Sequence, residues 1–175
     1  MMKAIAAFFP TRSEGEAARR ALIENGFSED QVSFLTKEPG SHDVTAVGPK
    51  FATGSESEAG ADAWIGAAAG LAAGMIAVLL PGIGTLIAIG PLAGAIGGLS
   101  VGAAAGGIVG LLRDHGIPEE EAAFYEEGLR RGGSVVSVQG VSEDEATVAR
   151  DIFDRNGASD VEKLADEWRR TSIER

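Results

Sequence analysis

The chain has 175 residues, a formal net charge of −11, a pI near 4.6 and no cysteine. This balance excludes a nucleic-acid binder, since phosphate contacts need clustered Lys and Arg and no such cluster occurs. It also excludes disulfides, thiol catalysis and thiolate metal sites. The length suits one domain, or a small domain with an appendage.

The first element is "KAIAAFF", a short apolar run ended by Pro10 that reads as a buried strand. Its apolar core is too short for a signal peptide, and a helix start follows in place of a cleavage site, so a cytoplasmic origin is expected for the soluble part. Ser13 and Glu16 have capping-box spacing, Ala17, Ala21 and Leu22 share a helical face, and Asn25-Gly26 is a stop. Residues 31–36, "QVSFLT", alternate and read as a second strand.

Residues 37–62 are rich in Gly, Ser and acid without periodicity and are expected to be a flexible acidic linker. Residues 63–112 then contain no Asp, Glu, Lys, Arg or His. Within them Gly66, Gly70 and Gly74, and then Gly90, Gly94, Gly98, Gly102, Gly106 and Gly110, recur every fourth residue. Four residues advance a helix by about 400°, so each series would lie along one face. Glycine costs about 1 kcal/mol relative to alanine in a helix, a loss that close helix-to-helix packing can offset. The spacing therefore predicts a glycine-zipper hairpin with arms at 64–80 and 91–112, joined by a turn at "PGIGTLIAIGP". These arms would be about 26 Å and 33 Å long against a hydrocarbon thickness of about 30 Å. A helix apolar on all sides must be buried on all sides, either in a bilayer or among other copies of the chain. The membrane hairpin is the first expectation and a soluble oligomer core is the rival.

Charge returns in "IPEEEAAFYEEGLRRGG", a helix with Pro118 in its first turn, Glu119, Glu120 and Glu121 at its positive end, Arg130 and Arg131 at its negative end, and Gly132 as its stop. A strand from Ser134 follows. The next helix has Ser142 and Glu145 as its capping pair, Val148, Ile152 and Phe153 on its apolar face, and Asn156-Gly157 as its stop. "ASDVEKL" can supply a short last strand, and the tail can end as a helix or fray.

Together these elements predict an α+β fold, a ferredoxin-like split strand–helix–strand unit with helices on one face and an inserted Gly/Ala-rich apolar helical hairpin. The expected organisation is a first βαβ half at 1–36, the linker at 37–62, the hairpin at 63–112, a helix plus the second half at 113–163, and a tail at 164–175.

The succession of "SEGEAARRALIENGFSEDQVSFL", "PGIG", "IGPLAGAIGG" and "GIPEEEAAFYEEGLRRGGSVVSV" resembles bacterial general stress proteins of the 17M type, the heat-induced stress protein domains. Residues 116–138 are the most specific part of that resemblance. It implies stress-responsive expression and often a membrane segment, and it carries over no catalytic or binding residues.

The residues themselves offer little chemistry. His42 and His115 have no ligand partner at metal spacing, and Gly82-Ile83-Gly84 lacks the rest of a dinucleotide fingerprint. Ser100 stands in the glycine series without a base nearby. No catalytic residue, cofactor or metal is expected. The chain reads as a non-enzymatic stress-associated protein whose partners are itself, through the glycine stripes, and a lipid bilayer. Alternatives are a soluble homo-oligomeric assembly and a small-ligand sensor using the sheet.

Overall fold

The computed structural model describes residues 3–38, 50–51, 75–80, 83–98, 103–160 and 164. In chain order the elements are β1 (Lys3–Phe9), α1 (Arg12–Glu24), β2 (Val32–Lys37), β3 (Lys50–Phe51), β4 (Met75–Leu80), β5 (Gly84–Ile89), α2 (Pro91–Gly98), α3 (Ala103–Asp114), α4 (Glu119–Arg130), β6 (Ser134–Val141) and α5 (Glu143–Arg155). The fold is α+β. Among the described residues six strands form one sheet in the order β1-β6-β2-β5-β4-β3, and all neighbours run antiparallel. β6 therefore lies between β1 and β2, which α1 connects.

Side chains alternate across β1, β6, β2 and β5, and helices pack on both faces there. Phe9, Val32, Phe34, Val136 and Val138 pack under Ala18 and Leu22 of α1 and Ala149, Ile152 and Phe153 of α5. Phe8, Leu35, Leu86, Ala88 and Val135 face the other way, under Leu92 of α2, Ile108, Leu111 and Leu112 of α3, and Tyr125 and Leu129 of α4. This corrects the expectation of helices on one face. The charge-free stretch supplies part of the second layer.

The helical hairpin is corrected as well. Residues 75–80 are a strand, not the end of a first helical arm, and 84–89 form the strand beside it, not a turn. Two six-residue apolar runs on either side of Pro81-Gly82 satisfy their backbones by pairing with each other, and β5 pairs onward with β2. The second arm is interrupted among the described residues: Gly107 is non-helical within α3 at φ 57° and ψ −157°. Residues 64–74 of the first arm lie outside the described residues. No helix among the described residues is long and apolar enough to cross a membrane.

Smaller corrections have local causes. The capping box of α1 is Thr11 with Glu14, not Ser13 with Glu16, because the chain leaves β1 at Pro10 and Thr11 is the first residue able to cap. Val148 is 47% exposed; α5 turns Ala146, Ala149, Ile152 and Phe153 inward instead. The 37–62 linker begins inside β2 and contains β3. The last strand is represented by one bridge, Ser159 to Phe8. Other sequence expectations are met: α4 spans Glu119–Arg130, and Ser142 and Glu145 form the second capping box. The amide and hydroxyl of Ser142 hold the exposed Glu145 carboxyl below its usual range.

Candidate functional site

The glycine series is the one candidate site that the sequence offers, and the structure divides it. Gly66, Gly70, Gly74 and Gly102 lie outside the described residues. Gly90 ends β5 at φ +84°, where a Cβ would run into the Val32 carbonyl, so it is a turn residue pressed against β2. Gly94 lies in α2 and Gly110 in α3, each with open space where a Cβ would stand; Gly94 is exposed and Gly110 half-buried. Gly98 closes α2, and Gly106 precedes the break at Gly107. The described members of the series are therefore shared among a turn and two helices. They do not form one face of one helix.

Two glycines outside the series do bring helices against the sheet. A Cβ on Gly15 of α1 would strike Ser134 and Phe34, and one on Gly128 of α4 would strike the Phe8 ring. Their place on buried helical faces is the available signal.

Several polar groups inside the fold are occupied with its backbone, while Ser137 Oγ and Arg19 Nε have no hydrogen-bond partner among the described residues. Tyr125 donates to the Ala6 carbonyl at 3.2 Å and lies 3.3 Å from Glu121 Oε2, so a single hydroxyl proton is shared between two acceptors. Burial, then the neighbouring Glu121 carboxylate, pushes the Tyr125 hydroxyl well above the ordinary phenol range. His115 Nδ1 lies 2.8 Å from the Leu111 carbonyl at the end of α3. Ser33 Oγ accepts the Leu92 N–H at 3.1 Å and so caps α2 from a neighbouring strand. Ser134 donates to the Thr11 carbonyl at 3.0 Å. Glu119 of the acidic run faces Arg113 at 3.8 Å, an exposed pair of little energetic weight. Among the described residues no group of three His, Asp or Glu side chains could hold a metal ion. His42 and Ser100 lie outside the described residues.

Comparison with family models, curated proteins and solved structures finds no match.

Proposed function

We propose that this chain is a non-enzymatic, stress-associated protein of the cytoplasm that self-associates through α2 and α3 at Gly94 and Gly110. Its core is then a ferredoxin-like unit, β1-α1-β2 with β6 between, enlarged by β3–β5 and the α2–α4 layer. The observation that carries this proposal is the orientation of α2 and α3. Leu92, Ala93, Ile108, Leu111 and Leu112 point into the core, while a Cβ at the exposed Gly94 or the half-buried Gly110 would meet nothing within 4 Å. A smooth helix surface lets a second helix approach closely. The use of Tyr125, Ser33 and Ser134 in backbone hydrogen bonds supports a role without catalysis. The link to stress rests on the resemblance of residues 116–138.

A bilayer anchor is the competing proposal. It requires residues 75–112 to leave the sheet, uncovering Phe8, Leu35 and Val135 at about 1.5–3 kcal/mol for each large side chain. The two separate through Gly94→Leu and Gly110→Leu in the full chain. With self-association, circular dichroism and melting are retained and sedimentation velocity shows smaller species than the wild type. A wild-type chain that is monomeric at every concentration, or that floats with lipid vesicles after a carbonate wash, overturns the proposal.

A further inference from the structure

On the sheet face beneath α2–α4, the smallest side chains stand in one row. Ala6 of β1 is opposite Ser137 of β6, and Ser137 is opposite Ser33 of β2. Gly90 comes next, with its Cβ position 3.1 Å from the Ser33 Cα. The adjoining row is larger: Phe8, Val135, Leu35 and Ala88. Small residues let two overlying elements come close, Tyr125 at the Ala6 end and the first turn of α2 at the Ser33 end.

The hydroxyl in the middle of this row is unpaired. Ser137 is 1% exposed, and its Oγ has no hydrogen-bond partner among the described residues. Ser33 Oγ accepts from Leu92 N–H and donates to no described acceptor. The fold contains its own comparison, because a second hydroxyl pair, Thr36 opposite Ser134, points to the other face of the same two strands. There Ser134 donates to the Thr11 carbonyl at 3.0 Å and Thr36 to the Gly133 carbonyl at 3.5 Å. Buried hydroxyls are otherwise satisfied in this region, and a buried polar atom without a protein partner is characteristically bonded to internal water.

We propose that one ordered water binds between Ser137 Oγ and Ser33 Oγ, beneath the first turn of α2. Cross-strand neighbours hold their Cβ atoms about 4.5–5.5 Å apart, a separation that a single bridging water spans. Ser137 donates to the water or accepts from it, and Ser33 donates to it while keeping the Leu92 N–H. α2 is thus docked on the sheet through a polar chain of two serines and one water, within an otherwise apolar layer.

The test is a crystal structure of the full chain at a resolution that shows ordered solvent, beside Ser137→Ala and Ser33→Ala. Magnetisation transfer from water to the Ser137 β-protons supplies a solution reading. The expected result is one water within hydrogen-bonding reach of both hydroxyls, lost in Ser137→Ala while circular dichroism is retained. A direct Ser137–Ser33 hydrogen bond with no density between them overturns the proposal, as does a water that stays in Ser137→Ala.

Discussion

Gly90 and Gly94 are four residues apart and belong to the same glycine series, yet replacing each with alanine should have effects of opposite sign. The Gly90→Ala variant would hold a left-handed conformation at φ +84°, costing about 1–2 kcal/mol. Its new methyl would also meet backbone: the Val32 carbonyl carbon lies 3.0 Å and the Ser33 Cα 3.1 Å from the Cβ position. Neither can rotate away as a side chain could, and forcing them apart costs about 1–3 kcal/mol more. The sum is about 2–5 kcal/mol. In a chain of this length it lowers the melting temperature on the order of 10 °C. The methyl of Gly94→Ala meets nothing within 4 Å and sits in a helix, where alanine is favoured over glycine by about 0.5–1 kcal/mol. The melting temperature of that variant should rise by roughly 1–4 °C. Thermal melts and urea titrations of the two variants, followed by far-ultraviolet circular dichroism, measure the temperature shifts and the free energies. Equal losses from Gly90→Ala and Gly94→Ala would refute the reasoning, since that result belongs to a series acting as one helix face.

Tyr125 is the only tyrosine, so tyrosinate absorbance reports its titration alone. Its folded pKa lies above the ordinary value of 10.0, so its contribution is complete below that pH. The contribution is lost as pH rises from there toward the folded value, because the unfolded chain releases the proton first. Wild type should therefore lose stability above about pH 10 with a component absent from Tyr125→Phe, and tyrosinate should appear together with unfolding. At neutral pH, Tyr125→Phe should cost about 1 kcal/mol in a denaturant titration, through the loss of the bond to the Ala6 carbonyl. On α5, Val148→Ser should change stability by less than about 0.5 kcal/mol. Ile152→Ala, at a position 5% exposed, should cost about 2–5 kcal/mol in the same titration.

The legible parts of the sequence are those where a period and a punctuation mark coincide. α4 is readable because Pro118, three glutamates, two arginines and Gly132 all agree on its bounds. α5 is readable for its capping box and its Asn156-Gly157 stop, although its period favours the larger Val148 over the small Ala146 and Ala149 that in fact face inward. The β4–β5 pair is not legible as strands. Leu86 and Ala88 are buried on one face, while Thr85 is buried and Ile89 half-buried on the other, so polar–apolar alternation gives no signal. Pro81-Gly82, between two six-residue apolar runs, is the cue for a strand pair, and the regular glycines mask it. At the candidate site, a four-residue interval cannot reveal that Gly90 is a turn or that Gly107 breaks the helix, since both depend on where β2 and α4 stand. Ser33 and Ser137 read only as members of alternating strands, because their pairing joins segments far apart in the chain.

The position of β6 has a consequence for how the protein is made. β1 and β2 emerge early in synthesis, but they touch each other only through β6, whose last residue is Val141. Until the ribosome has delivered that strand, Phe8 has no neighbour across the sheet and Phe34 has only Ile89 of β5, and the apolar runs of β4 and β5 are already outside the tunnel. Pairing between strands so distant in sequence slows folding as a rule and leaves adhesive segments exposed until β6 is made. The acidic composition then acts before the fold exists, since residues 1–141 carry 16 Asp and Glu against 9 Lys and Arg, and this net negative charge repels neighbouring nascent chains on the same message until the centre of the sheet is filled.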